Sequence, residues 1–480
     1  MKIFKNYLYN MSYQIIAVIL PLITVPYISR VLGAEAVGIN SYTNAIITYF
    51  VLIANVGITV YGNRTISYTR DSIEERSRKF LEIVIVKLIM GTISFVLLFI
   101  FIGLYGRYSE YLMWQSIQIL ATIIDISWFF AGLEDFKKTV SRNIIVKVLS
   151  ASLILTLVKK PSDLALYIII IAGATFLGNL TVWTYLKKLL VPVKRADLSL
   201  LEHMGPIFVL FIPQLASQLF MTINKLLLGN LSTITQTGYF DNSDKVVRIL
   251  LTAITAVGTV IFPRLANSFK TGKKDKVEKY LKFSFDAVNL ISFPIVAGVI
   301  IISKPFSMIY FGSGFKGINV VLATLVVELI FMGWSTVMGN QYLVATNRTK
   351  GLTISVIVAT VILLISSYLI LPTYGAQGAA ITSVLGEFII ATVQLLYVRK
   401  YINLFYIFKD ISKYLFASIV MFSICYLTPS LSSNFITIFI KVIIGAVVYV
   451  VIILLLKPDL VKDISGKVLE KFNFKHNQKL

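Results

Sequence analysis

The chain is poor in the side chains from which most catalytic and metal sites are built. Its 480 residues include one cysteine, Cys425, and two histidines, His203 and His476. A lone cysteine excludes a disulfide framework and a multi-cysteine metal cage. Set in an apolar run, Cys425 reads as a small hydrophobe. The histidines lie far apart in sequence, so a His-based metal or nucleophile site is not expected. No G-x-x-x-x-G-K-[ST] motif occurs, which excludes ATP hydrolysis by a phosphate cradle of that kind. Charge of one sign is also scarce: 23 Asp and Glu stand against 45 Lys and Arg, a net charge of +22. Long polar loops are missing too, which leaves no room for a soluble catalytic domain.

Apolar runs fill the chain instead. Apolar residues make up 57% and charged residues 14%, and the mean hydropathy is +0.82. These values describe an all-α polytopic membrane protein. Runs near the roughly 20 residues needed to cross a bilayer fall at 8–31, 37–62, 81–105, 112–132, 143–158, 164–186 and 206–229. The rest are at 239–262, 281–303, 317–344, 351–372, 377–398, 414–428 and 435–456, about fourteen transmembrane helices in all. With these spans, 32 of the basic residues fall in alternate loops and tails, 5 in the intervening loops and 8 inside spans. The positive-inside rule then puts both termini in the cytoplasm. Basic loops beside anionic lipid need no nucleic-acid partner. The run from Tyr7 to Val31 is too long for a signal peptide, and no A-x-A site follows it.

A weak internal repeat divides the spans. Pro21, Arg30-Val-Leu-Gly33, Val37-Gly38, Gly57 and Arg64 have counterparts in Pro213, Lys225-Leu-Leu-Leu-Gly229, Thr237-Gly238, Gly258 and Arg264. The copies begin six spans apart, which implies two pseudo-symmetric six-helix lobes, 1–205 and 206–400. Two C-terminal helices and a basic tail, 401–480, are appended. Transporters are often built this way, with the site where repeats meet.

Several segments resemble polysaccharide flippases of the Wzx type, in the MOP superfamily that also holds the lipid II flippase and the MATE multidrug exporters. They are the opening Lys5-Asn-Tyr-Leu-Tyr-Asn10, Pro21 and Pro26, Ser29-Arg-Val-Leu-Gly-Ala-Glu-Ala-Val-Gly38, Gly238-Tyr-Phe-Asp-Asn-Ser243 and Val260-Ile-Phe-Pro-Arg-Leu265. The resemblance spans the whole chain in helix number and loop pattern. It implies a bacterial plasma-membrane protein that is not an enzyme and needs no cofactor. Such a protein would move undecaprenyl-pyrophosphate-linked oligosaccharide from the inner to the outer leaflet by alternating access, for capsule or O-antigen biosynthesis. Membrane lipids and polysaccharide polymerase or assembly proteins are the implied partners, with H+ or Na+ as a coupling ion. Lipid II flipping and cation-coupled multidrug export stay open as alternatives.

A charge at a helix centre costs about 2.5–3.5 kcal/mol on insertion scales, so charges within spans need a reason. Arg30 could snorkel to the headgroups or hold a phosphate through its planar fork; its repeat mate Lys225 favours the second. In the eighth span Asp241, Lys245 and Arg248 share one helical face, and Asp244 lies four residues before Arg248. They read either as internal ion pairs or as a wetted substrate-binding face, with the excess positive charge supplied by Arg30 and Lys225. Asp125, Glu328 and Glu387 are isolated mid-span carboxylates and the coupling-ion candidates. Lys87, Lys147 and Lys282 are expected to snorkel, and Lys441 has no assigned role.

Overall fold

The computed structural model describes residues 2–194, 198–463 and 465, with the side chains of 2–13, 259 and 260 left out. Arg195, His476, the tail lysines from Lys467 onward, and the side chains of Lys2, the opening Lys5–Asn10 segment and Val260 therefore lie outside the described residues. Among the described residues every regular element is helical: α1 (Lys2–Asn55), α2 (Ile58–Thr69), α3 (Ile73–Tyr105), α4 (Ser109–Gln115), α5 (Ile117–Ile123), α6 (Ser127–Gly132), α7 (Phe136–Leu157), α8 (Leu164–Trp183), α9 (Leu201–Leu231), α10 (Ile234–Lys270), α11 (Lys274–Tyr310), α12 (Ile318–Leu325), α13 (Glu328–Ser335), α14 (Thr349–Val398), α15 (Leu404–Phe408), α16 (Ile411–Leu427) and α17 (Asn434–Leu456).

Eleven stretches of these are long and apolar enough to cross a membrane, or up to twelve when the bent α10 is included. Two are double-length, Gln14–Thr69 with 56 residues and Thr349–Val398 with 50. At 1.5 Å per residue they reach about 84 and 75 Å, far beyond a hydrocarbon core of about 30 Å. Each is interrupted by a glycine out of helical geometry, Gly33 (φ 78°, ψ 175°) and Gly375 (φ 52°, ψ −131°). Positive φ is a conformation only glycine adopts cheaply. Both glycines fall in the gaps expected between spans, 31–37 and 372–377, so each double-length stretch is two crossings. About fourteen crossings result.

Several helices outrun their apolar runs. α3 begins eight residues before position 81, where Ser72 accepts a hydrogen bond from Glu75 N (3.2 Å) and Glu74 and Glu75 lie in the first turn. An N-cap and early acids favour helix; hydropathy reports the membrane and not the helix end.

The chain forms two compact units, Met1–Asp241 and Asn242–Leu480. The repeat would begin a new lobe at 206. Packing nonetheless groups α9 with the first unit, where it lies against α1 and α2. Tyr42 donates to Asn230 (3.0 Å) and Tyr49 meets Thr222 (2.6 Å), tying α1 to α9. The core of the first unit centres on Trp128, Phe129, Phe130, Phe80 and Ile66. In the second, α16 and α17 pack on α11 through Phe293, Tyr414, Met421 and Tyr449. Cys425 is buried in that same cluster.

Candidate functional site

The repeat has a physical counterpart in the first unit. A Cβ on Gly38 would collide with the carbonyl of Ile234, and one on Gly238 with the carbonyl of Ala34. Each would also sit close to the other glycine's backbone nitrogen, 3.1 and 3.0 Å away. One shift of 200 positions carries Ala34 to Ile234 and Gly38 to Gly238. The two contacts are therefore exchanged by the repeat, as two-fold symmetry requires. Small residues let helix backbones meet this closely in a membrane.

Arg30 lies on α1, exposed, one turn before the Gly33 break. Lys225 on α9 reaches Asp241 on α10, Nζ to Oδ1 2.7 Å, with both side chains mostly buried. Lys225 is therefore not a bare cation: a carboxylate accompanies it. In the second unit Arg248 Nε pairs with Asp244 Oδ1 at 2.8 Å, one turn apart on α10. Its charge also interacts with Glu328 and Glu387, which are 3% and 8% exposed. Glu328 and Glu387, expected as isolated carboxylates, thus share surroundings with Asp244 and Arg248. Asp241 reaches Lys225 on α9, and Asp244 pairs with Arg248. Lys245 is half-buried on the same helix.

Asp125 is not isolated either. The fourth span breaks at Ile124–Ile126 between α5 and α6, which frees backbone carbonyls that must be satisfied inside a membrane. Asn179 donates to Ala121 O (2.7 Å), Trp183 to Ile124 O (2.7 Å) and Lys87 to Asp125 O (2.6 Å). The Asp125 carboxylate accepts from Ser127 and faces Arg142 at 3.9 Å. Lys87, 1% exposed, does not snorkel; it closes a broken helix. Lys282 does not snorkel either. It is buried between Asp286 (2.9 Å) and Asp410 (3.0 Å). In each case a partner comes from a distant segment, Asp125 for Lys87 and Asp410 for Lys282, and such a partner cannot be read from a single span.

Two features escaped the sequence. His203, at the start of α9, is buried between Tyr61 OH (2.7 Å, at Nδ1) and Glu82 (2.8 Å, at Nε2). Glu82 also accepts from Ser199 N (2.8 Å) and meets Lys79 (3.1 Å), which in turn contacts Glu202. Glu82, Glu202 and His203 offer ligand atoms within 4.8 Å of one another, but the Lys79 ammonium already supplies the cation among them. The second feature is a π-helical segment, Thr336–Leu343. It sets the Gln341 amide against Gly258, where α10 bends by 40°. Such segments recur at functional sites. Only the odd placement of Glu82 at the charged edge of a span hinted at the first, and nothing in the pattern hinted at the second.

A many-span helical protein with paired charges inside its spans and repeat-related contacts is a membrane transporter by class, and comparison with known proteins defines it further. The family described as polysaccharide biosynthesis protein matches residues 3–269, and that described as lipid II flippase MurJ matches 138–465. The chain belongs to the polysaccharide biosynthesis protein family, among the Wzx-type flippases of the MOP superfamily. A putative O-antigen transporter of Escherichia coli (strain K12) is 24% identical over 409 residues, 82% of this chain and 96% of that one. A probable low-salt glycan biosynthesis flippase, Agl15 of Haloferax volcanii, is 23% identical over 48% of this chain and 49% of its own length. In fold, the chain matches the lipid II flippase MurJ in an inward closed conformation with a TM-score of 0.78, at 16% identity, covering 95% and 100% of the two chains. An inward-facing MATE family multidrug transporter matches at 0.58, with 17% identity over 80% and 97%.

Proposed function

We propose that this flippase carries undecaprenyl-pyrophosphate-linked oligosaccharide repeat units from the inner to the outer leaflet by alternating access, for surface polysaccharide biosynthesis. It acts as a transporter and not as an enzyme, in a bacterial plasma membrane with both termini cytoplasmic. The observation that carries the reading is the set of cations inside spans on both copies of the repeat. Arg30 and Lys225 stand on the first-copy and second-copy helices α1 and α9, and Lys245 and Arg248 on α10. Cations are the groups a pyrophosphate needs. Asp241 and Asp244 hold Lys225 and Arg248 in place between transport events, so cargo phosphate competes for the cations with carboxylates already present. Asp125, Glu328 and Glu387 are the proposed coupling-ion residues. Of these, the buried pair Glu328 and Glu387 is the better placed, because each can exchange a proton or Na+ against the Arg248 charge. The lobes related by the repeat are 1–205 and 206–400, with 401–480 appended; polymerase and assembly proteins would receive the product.

The test replaces Arg30, Lys225 and Arg248 singly with Ala and measures surface polysaccharide at matched expression. Loss of one charge-assisted contact is worth about 1.5–3 kcal/mol, so export should fall about tenfold or more. Wild-type export from all three variants would sink the assignment. The match of the lipid II flippase family to residues 138–465 favours a second reading, lipid II transport. Complementation of a strain lacking that activity separates the two.

A further inference from the structure

In the second unit a cavity of about 870 Å³ opens where segments far apart in sequence meet: the end of α10, the start of α11, α15 and the stretch after α17. Four cations line it, Arg264 from α10, Lys276 and Lys279 from α11, and Lys462 beyond α17. None of the four enters an ion pair among the described residues. Lys282, a fifth cation in the lining, behaves differently. It is 5% exposed and is held by Asp286 and Asp410, with Asp459 at 3.7 Å. Asp459 also pairs with Lys409 at 2.9 Å. The floor carboxylates Asp286 and Asp459 are thus neutralised by lysines. That leaves the exposed Asp463 as the one remaining acid of the lining against the four unpaired cations.

The walls are apolar where Ile261, Phe283 and Leu460 contribute, and the Phe283 side chain is 39% exposed. Tyr280 and Tyr406 bring hydroxyl donors. The volume falls in the range of ligand pockets. A mouth of lysines with an apolar wall suits an amphiphile with an anionic head better than a free ion, because a free ion gains nothing from the wall. Basic pockets between helices on the cytoplasmic side are where lipid headgroups are held, and the charge bias assigns all the lining loops to that side. The bias explains why the loops are basic, but it does not explain why unpaired cations from two of them, the α10–α11 connection and the stretch after α17, line one cavity.

We propose that this cavity is a binding site for the phosphate headgroup of an anionic membrane lipid in the leaflet that the basic loops face. It is independent of the transport reading, since lipid binding and not export is measured. The full chain is purified and its retained lipids are counted by native mass spectrometry, with phosphatidylglycerol as probe, phosphatidylcholine as reference and inorganic phosphate as competitor. The expected result is retention of phosphatidylglycerol over phosphatidylcholine, weakened about tenfold in Lys276→Gln/Lys279→Gln. Lys187→Gln/Lys188→Gln, which removes equal charge from a basic loop of the first unit, should stay within about twofold. Equal loss in both variants would overturn the site in favour of diffuse surface attraction. Equal retention of the two lipids would overturn it as well. Displacement of phosphatidylglycerol by millimolar inorganic phosphate would reassign the cavity to a free anion and overturn the lipid.

Discussion

At the scale of single residues, several charged side chains inside this protein's spans are accompanied. Lys87 donates to the Asp125 carbonyl, Lys225 to Asp241, Lys282 to Asp286 and Asp410, and Arg248 to Asp244. A buried pair gains little net stability, yet breaking it strands a charge and costs about 3–5 kcal/mol. Lys225→Met and Asp241→Asn should therefore each lower the melting temperature of the purified protein, and the double variant should recover much of the loss. Export separates structure from function. If Lys225 also holds the cargo phosphate, the double variant stays inactive although its stability returns. A double variant as unstable as the sum of the two singles would show that the pair is not the interaction that matters. The types of these residues and their depth in the spans were legible in the sequence. The partners Asp125 of Lys87, Asp241 of Lys225 and Asp410 of Lys282 were not, because each comes from another element. Asp286 and Asp244, by contrast, lie one turn away on the same helix as Lys282 and Arg248.

Among the elements, the breaks are as informative as the helices. Gly33 and Gly375 divide double-length stretches at the points where hydropathy dips. The break at Ile124–Ile126 has no glycine or proline to mark it, and the carbonyls it frees are met by Asn179, Trp183 and Lys87. The Gly38–Gly238 contact makes a sharp prediction. Gly38→Ala and Gly238→Ala each push a methyl into a backbone carbonyl of the facing helix, which neither helix can absorb by a rotamer change. Each should cost about 1–3 kcal/mol, read as a lower melting temperature. Gly103→Ala, where a Cβ meets nothing within 4 Å, should be near neutral. The two contact variants should have equal effects within error, since the repeat exchanges them; a large cost for one alone would count against the symmetry.

For the whole molecule, charge bias predicts an orientation before any fold is considered. The basic residues crowd into alternate loops, and the cost of moving Lys and Arg across the bilayer sets which side those loops take. Green fluorescent protein fused after Lys457 should fluoresce, and alkaline phosphatase inserted between Lys304 and Lys316 should be active. The reverse pattern would invert the topology and the proposed direction of transport with it. The two compact units, by contrast, divide at Asp241 and Asn242 and not where the repeat restarts. Polar ties from Tyr42 and Tyr49 join α9 to α1 within the first of these units.

Composition and the order of apolar runs alone determined the helical membrane fold and about fourteen crossings. These follow from hydropathy and periodicity, which are local properties of the chain. Only the tertiary structure decided which charges on different helices neutralise one another, that His203 and Glu82 are buried together, that Lys87 seals a broken helix, and that basic loops distant in sequence enclose one cavity. Each of these depends on distances between helices, and a hydrogen bond or ion pair acts only over a few ångströms, so no one-dimensional pattern carries it.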